Sequence, residues 1–162
     1  MPKPGSGPSP VKSGVSVIFA LAAAMNAAAA QEAAPGSILP YKVVGDAIPQ
    51  SLTGAPGDPA RGRAIVTKRE NTCLLCHSGP FPAPHQQGLI GPSLDGVGSR
   101  LTAGEIRARL VDPRTANPDT VMPAYFSLRG LNRVGAAWTG KTVLDAQQIE
   151  DVVAFLAGLR KR

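Results

Sequence analysis

The chain has 162 residues and a formal net charge of +6, with 43% hydrophobic but only 4% aromatic residues. This length suits one small domain and no more. The basic residues are scattered and the few aromatic residues are not interleaved with them, so we expect no nucleic-acid binding. The mild positive surplus fits either ordinary surface solubility or attraction to an acidic partner.

Residues 1–30 are typical of an export signal. Lys3 and Lys12 give a positive start without acidic residues, an apolar run covers 15–24, and Ala28 to Ala30 offer a cleavage site. A membrane span needs about 20 apolar residues, and Asn26 ends this run too early. We therefore predict a cleaved signal peptide rather than an uncleaved anchor, and no membrane span in the mature chain. Cleavage would leave 15 basic and 11 acidic residues, which lowers the net charge from +6 to +4.

Residues 31–57 are rich in proline and glycine, which interrupt regular structure. We predict an extended N-terminal arm over this range. The arm could wrap around the domain or a partner, or it could be a disordered leader, and the sequence does not choose between these. The interrupting residues are Pro35, Gly36, Pro40, Gly45, Pro49, Gly54, Pro56 and Gly57.

Residues 58–162 are predicted to form one mainly α domain, because three helices are legible and no alternating strand pattern is visible. The first helix begins at Asp58, an N-cap followed by a proline, and runs to about Arg69. Its predicted apolar face carries Ala60, Ala64 and Ile65. The second helix begins at Thr102 with Glu105 completing a capping box, and Pro113 stops it. Its predicted apolar face carries Ile106 and Leu110.

The third helix has the clearest pattern in the sequence. It begins at Asp145, which forms a cap pair with Gln148. Apolar residues then repeat at helical spacing: Ile149, Val152, Val153, Leu156 and Leu159. The cations at 160–162 are predicted to lie at its C-terminal end, where the helix dipole favours positive charge.

The segment Cys73-Leu74-Leu75-Cys76-His77 has the form C-x-x-C-H, the attachment signature of haem c. Its two thiols are the only ones in the chain and can form thioethers to haem, while His77 can be the proximal iron ligand. A disulfide here would close a very short loop. Zinc would lack a third cysteine and a well-spaced second histidine, and a thioredoxin-like pair would lack its strand–helix context. Because covalent haem attachment takes place outside the bacterial cytoplasm, motif and signal together predict a periplasmic protein with one haem c.

A sixth iron ligand must come from elsewhere, and Met122 and His85 are the candidates because thioether sulfur and imidazole nitrogen both bind haem iron. His85 lies only eight residues after His77, which leaves a short chain to cross the porphyrin edge. Met122 is the only methionine left after signal removal, and it precedes Pro123, which stiffens its loop. We therefore predict Met122 as the sixth ligand, with His85 as the alternative. Two closed axial positions would suit electron transfer rather than chemistry at the iron.

The order of the elements, with a helix leading into C-x-x-C-H, a loop-rich centre and a closing amphipathic helix, resembles class I cytochromes c. This resemblance implies that the first and last helices cross and pack beside the haem. It also implies that the carbonyl of Pro92, in Gly91-Pro92, accepts a hydrogen bond from the His77 imidazole and orients it.

Several longer runs are more specific than C-x-x-C-H: GPSLDGVGSR at 91–100, IRARLVDPR at 106–114, NPDTVMPAY at 117–125, GKTVL at 140–144 and IEDVVAFL at 149–156. They resemble the SoxX family, the small monohaem subunit of the SoxAX cytochrome complex of bacterial sulfur oxidation. The resemblance covers roughly residues 58–162. It implies that Cys73 and Cys76 hold the haem by thioethers and that His77 and Met122 are the axial pair.

The resemblance also implies partners and a reaction. The partner would be a SoxA-like dihaem or monohaem cytochrome subunit that carries the catalytic haem. Together they would form an L-cysteine S-thiosulfotransferase, which oxidatively joins thiosulfate to a cysteine of a SoxYZ-like carrier protein. This chain would pass the electrons to an acceptor cytochrome c. Because haem consumes both of its thiols, we expect no catalytic residue here.

Two other functions stay open at this point. A free-standing, diffusible cytochrome c of a respiratory chain would need no partner subunit. A catalytic or sensory haem protein would need an open axial site on the iron.

Overall fold

The computed structural model describes residues 1, 2, 5, 7, 40–82 and 84–161. The predicted export signal, apart from four of its residues, and positions 31–39 of the predicted arm lie outside the described residues. The described part is mainly α, as predicted, and it has no helix long and apolar enough to cross a membrane. Its helices are α1 (Pro59–Thr67), α2 (Cys73–Cys76), α3 (Val97–Arg100), α4 (Ala103–Val111) and α5 (Ala146–Gly158). Short 3-10 turns cover Arg69–Asn71, Pro84–Gln86, Pro113–Thr115 and Ala136–Trp138.

α1 begins where the sequence predicts but presents a different face to the core. The Asp58 side chain caps it by accepting hydrogen bonds from two backbone N–H groups of the first turn. The predicted apolar face was wrong: Ala60 and Ala64 are exposed and Ile65 is only half-buried. The buried residues are Gly62 and Val66. The helix ends at Thr67, slightly earlier than predicted, because a separate 3-10 turn follows it.

α4 and α5 begin with the two predicted capping boxes, Thr102 with Glu105 and Asp145 with Gln148. The predicted apolar residues of both helices are buried, except that Leu159 is the half-buried residue that follows α5. The prediction for the basic end of α5 was wrong. The helix stops at Gly158, so its last turn holds no cation; Arg160 and Lys161 lie beyond it, and Arg162 lies outside the described residues.

α1 and α5 pack directly against each other through Gly62. A Cβ at this position would meet the backbone carbonyl of Asp151 and would lie 2.8 Å from Cβ of Phe155. Only glycine allows this approach. An alanine would have to push the two helices apart, which a packed interior resists.

The Asp151 carboxylate joins α5 to the beginning of α1. It accepts a hydrogen bond from the N–H of Asp58 at 2.7 Å and from Nε and Nη2 of Arg61 at 2.7 and 2.9 Å. Burial alone would raise the pKa of Asp151, but the hydrogen bonds from Arg61, Asp58 and Gln147 outweigh it and hold that pKa below its ordinary value. The ionised carboxylate is therefore part of the helix contact.

The described part of the predicted arm runs along α4 and α5. Ile48 and Leu52 are buried, and their backbone is held by a buried ion pair. Arg107 donates two hydrogen bonds of 2.8 Å to Glu150 and one of 2.7 Å to the carbonyl of Ile48. Glu150, the acidic member of this pair, also accepts a hydrogen bond of 2.8 Å from the N–H of Leu52. Residues 48–52 are thus fastened to the two helices that form one side of the core.

Candidate functional site

The C-x-x-C-H segment folds as one helical turn, α2, with both cysteines half-buried and free. Thr72 precedes the turn in the left-handed conformation, with φ 62°, and starts the helix abruptly after the preceding 3-10 turn. Burial raises the pKa of the Cys73 thiol above its ordinary value. The single turn places Cys73, Cys76 and the following His77 on the wall of one cavity.

The His77 ring is fixed by the carbonyl of Pro92, which lies 2.6 Å from Nδ1. A carbonyl oxygen can only accept a hydrogen bond, so Nδ1 must carry the proton and donate it. In neutral imidazole the other nitrogen, Nε2, then keeps its lone pair and is the atom free to bind a metal. Gly91 makes this geometry possible, because a Cβ there would lie 2.6 Å from Nδ1 and 2.8 Å from Nε2 of His77.

We call α2 (Cys73–Cys76) the attachment turn. The loop after His77 folds back onto it through backbone hydrogen bonds. Gly88 N–H donates to the carbonyl of Leu74 at 2.9 Å, and Gly91 N–H donates to the carbonyl of Cys76 at 2.8 Å. The N–H of Leu94 likewise donates to the carbonyl of Ser78 at 2.7 Å. These bonds hold the Pro92 carbonyl where it meets the imidazole. We refer to residues 71–94 as the histidine wall of the cavity.

A second segment, residues 117–126, supplies another part of the lining; we call it the methionine wall. It begins with a turn in which Thr120 N–H donates to the carbonyl of Asn117 at 3.2 Å, and Met122 N–H then donates to Oγ1 of Thr120 at 3.2 Å. At its end the segment is anchored by Tyr125 and Phe126, which are 4% and 1% exposed. Between these two anchors, Met122 is half-buried and lines the cavity.

The cavity between the two walls has a volume of about 580 Å³, within the range typical of small-molecule and cofactor sites. The remaining lining comes mostly from apolar residues of the helices and their connections, among them Val66, Val97, Ile106, Leu110, Val152 and Leu156. A largely apolar cavity with two thiols on one wall, an imidazole nitrogen and a thioether sulfur fits the donor set of haem c.

The structure brings Cys73, Cys76, His77, Pro92 and Met122 to this one cavity. The alternative ligand, His85, is exposed, lies in the turn Pro84–Gln86 and is not among the lining residues. The described residues also contain no group of three or more His, Cys, Asp and Glu side chains that could hold a metal ion.

Two exposed apolar side chains stand at the edge of the cavity. Ile90, on the histidine wall, is 73% exposed and Val121, on the methionine wall, is 84% exposed, and both line the cavity. Leu89, which precedes Ile90 in the chain, is 86% exposed. A surface of this kind is typical of a site where another molecule docks.

A smaller cavity of about 310 Å³ borders the same attachment turn. Leu74, Leu75 and three cations, Arg63, Lys68 and Arg69, contribute to its lining. None of the three cations takes part in an ion pair with another residue of the described part of the chain. Three cations without an ion-pair partner among the described residues therefore lie next to the C-x-x-C-H segment.

Tyr125 belongs to the site although no sequence pattern pointed to it. The sequence presented it only as the last letter of NPDTVMPAY, with no chemistry of its own. In the structure its ring lines the cavity and its hydroxyl donates to the carbonyl of Asn71 at 2.8 Å. Nothing in the local pattern could show this contact, because the two residues are far apart in the chain.

The helical fold and this cavity define a cytochrome c-like domain. No protein-family model and no curated protein matches the chain. Among solved structures, it is similar to a chain of the crystal structure of SoxXA from P. pantotrophus, with 38% sequence identity and a TM-score of 0.68. The similarity covers 75% of this chain and 95% of that chain. The protein belongs to the SoxX family, which confirms the resemblance seen in its sequence runs.

Proposed function

We propose that this protein is the electron-transfer subunit of a periplasmic sulfur-oxidising complex and carries one covalent haem c. The observation that supports this most is the convergence of Cys73, Cys76, His77 and Met122 on one apolar cavity. In this proposal a cleaved signal peptide, residues 1–30, exports the chain to the compartment where haem is attached. Helices α1 and α5 cross beside the haem, as they do in class I cytochromes c.

Each residue of the site has a defined part. Cys73 and Cys76 hold the cofactor through thioether bonds, so it cannot dissociate. Nε2 of His77 is the proximal ligand, because the Pro92 carbonyl keeps the proton on Nδ1. The sulfur of Met122 would be the second protein ligand of the iron. When bound, haem c supplies a one-electron couple whose potential a methionine ligand raises.

The same residues argue for a conduit rather than a catalyst. Joining thiosulfate to a carrier thiol forms one S–S bond and releases two electrons and one proton. A chain that made this bond through its own thiol would need a cysteine to spare, and Cys73 and Cys76 are the only two in the sequence. With both held by haem and both axial positions filled, the remaining role is to accept the electrons one at a time.

We propose that a SoxA-like cytochrome, dihaem or monohaem, supplies the catalytic centre. The similar solved chain belongs to a SoxXA complex, which supports a partner of this kind. The exposed apolar side chains of Ile90 and Val121 provide a dry contact at the cavity edge, where electrons must cross. A SoxYZ-like carrier would present the cysteine that receives thiosulfate, and a further cytochrome c would take the electrons onward.

The proposal is tested by mixing purified components and recording the haem absorption. The oxidised protein should become reduced when thiosulfate, a SoxYZ-like carrier and a SoxA-like partner are all present. Thiosulfate alone, or thiosulfate with carrier but no partner, should leave it oxidised. A partner that retains its haem but lacks its catalytic cysteine is the matched control.

Two outcomes would contradict the proposal in different ways. Reduction by thiosulfate without any partner would indicate an independent enzyme with an open iron site. No reduction with the full set of components would favour a diffusible respiratory cytochrome c.

A further inference from the structure

Tyr125 makes a contact between the two walls of the cavity. Its side chain is buried, with 4% of the residue exposed. The hydroxyl donates to the carbonyl of Asn71 at 2.8 Å and lies 3.5 Å from Oγ1 of Thr72 and 3.9 Å from Sγ of Cys73. It therefore touches the backbone immediately before the haem attachment turn.

The backbone of Tyr125 is equally well fixed. Its N–H donates to the carbonyl of Leu110, at the end of α4, at 2.9 Å. Its own carbonyl accepts from the N–H of Leu144, just before α5, at 3.0 Å. Tyr125 thus connects both helices to the methionine wall, and it lies three residues after Met122.

The phenol is also the one hydrogen-bonding link between the walls in the described part of the chain. No hydrogen bond among the described residues joins the histidine wall to residues 117–126 except those of the Tyr125 hydroxyl, and those of Met122 and Thr120 stay within the methionine wall. Burial raises the pKa of Tyr125 to about 12. The hydroxyl therefore keeps its proton at neutral pH and remains a donor.

We propose that Tyr125 is a positioning residue that fastens the methionine wall to the attachment turn and so keeps Met122 opposite His77. The inference rests on the proposed axial pair. Without the hydroxyl, the carbonyl of Asn71 loses its buried donor and the methionine wall loses its link to the opposite wall. Met122 should then leave the iron more often, although the fold stays intact because the ring and the backbone bonds of residue 125 are retained.

The expected size follows from the strength of one buried hydrogen bond. Losing such a bond shifts an equilibrium by roughly three- to tenfold. Tyr125→Phe should therefore raise the fraction of protein with Met122 dissociated by about that factor. An external ligand that binds only when the methionine has left, such as imidazole, should bind correspondingly more tightly.

The experiment is an imidazole titration of the oxidised, haem-loaded protein, followed in the visible spectrum. Wild type, Tyr125→Phe and Tyr41→Phe are compared. Tyr41 is a matched control: it is half-buried against the core, does not line the cavity and has no hydrogen bond from its hydroxyl to another described residue. Far-UV circular dichroism and the thermal midpoint of each variant report separately on the fold.

Tighter imidazole binding by about three- to tenfold in Tyr125→Phe, with Tyr41→Phe equal to wild type, supports the inference. Unchanged imidazole affinity in Tyr125→Phe would overturn it while leaving the axial pair intact. An equal gain in both variants would also overturn it, because the effect would then come from general loosening. A wild-type spectrum without iron–sulfur charge-transfer absorption would overturn the Met122 assignment itself, and this inference with it.

Discussion

The two walls of the cavity are built very differently. On the histidine wall, the imidazole is fixed by the Pro92 carbonyl at 2.6 Å, and Gly91 packs against its ring. Backbone bonds at Gly88, Gly91 and Leu94 fasten the loop to the attachment turn. On the methionine wall, Met122 has one backbone bond to a neighbouring threonine, and Val121 beside it is 84% exposed.

This difference indicates which of the two proposed iron ligands should dissociate first. A side chain held by a short hydrogen bond and a tight packing contact, on a loop that is itself fastened by backbone bonds, loses little further freedom on binding a metal. A side chain in an exposed loop segment must be held by anchors at a distance, here Tyr125 and Phe126. We therefore expect any local opening of the site to begin on the methionine wall, while the histidine wall stays formed.

The largest effect should come from removing the thioethers on the histidine wall. In a protein with both Cys73→Ala and Cys76→Ala, haem should be extracted under denaturing conditions, whereas the parent should retain it. The apolar cavity of about 580 Å³ would then lack its permanent occupant, and a ligand bound only by the native state stabilises that state. Pigment on a denaturing gel and far-UV circular dichroism measure both consequences. Haem retention in the double variant would rule out thioether attachment.

The next largest effect should come from crowding the histidine ring. Gly91→Ala puts a methyl group within 2.6 Å of Nδ1 of His77, so the ring or the loop must move. We expect a loss of about 1–3 kcal/mol in the free energy of unfolding and a lower yield of haem-loaded protein. Gly135→Ala is the control, because that loop glycine has nothing within 4 Å and an ordinary negative φ. Equal stability of the two variants would mean that the His77 ring and its loop can accommodate a methyl group at residue 91 without cost.

Changing the methionine wall should alter the iron more than the fold. Met122→Ala should open the sixth position, lower the reduction potential and abolish the iron–sulfur charge-transfer band. A drop on the order of 0.1 V is reasonable, since axial ligands tune haem potentials over roughly 0.8 V. His85→Ala is the control and should leave spectrum and potential unchanged, because His85 is exposed and outside the cavity lining. The reverse pattern would make His85 the ligand.

A change remote from both walls should have the smallest effect and should depend on pH. The pKa of Asp151 is held down by its hydrogen bonds in the folded state, so its contribution is present above the unfolded-state pKa of about 3.9 and is lost as pH falls through the lower folded value. Asp151→Asn should cost about 1 kcal/mol at pH 7, a modest figure because its partner Arg61 is 58% exposed.

That variant should also lose less stability between pH 4 and pH 2 than the wild type, as measured by urea unfolding. Asp119→Asn, on the exposed turn of the methionine wall, is the control and should follow the wild-type curve. If the free energy of unfolding of Asp151→Asn fell with pH as steeply as that of the wild type, the carboxylate would contribute no pH-dependent stability. Asp112, whose pKa is also lowered by its arginine partner Arg114, accounts for part of the slope that remains.

The walls also differ in how far the sequence could predict them. The histidine wall is a local motif, so its residues could be named from spacing alone, and the Pro92 carbonyl followed from the class I resemblance. Met122 could be named because no other methionine follows residue 30. What holds Met122 in place could not be predicted, because Asn71, Leu110 and Leu144 reach residue 125 from three distant parts of the chain.

The same distinction applies to the helices. Caps are local, so the starts at Asp58, Thr102 and Asp145 were predicted correctly. The buried face of α1 was predicted wrongly. A search for apolar residues at helical spacing passes over glycine, whereas the contact with α5 requires one. Only the structure shows why position 62 is a glycine: the backbone carbonyl of Asp151 occupies the space that a Cβ would need.

The most direct test of this account is whether Met122 lies against the haem. After removal of residues 1–30, Met122 is the only methionine in the chain, so methyl-¹³C-methionine labelling gives a single signal. In the reduced, haem-loaded protein the account predicts a methyl resonance shifted far upfield, because an axial methionine sits over the porphyrin ring current. A methyl resonance at its ordinary position in the reduced protein would contradict the axial pair and, with it, the closed iron site on which the electron-transfer role rests.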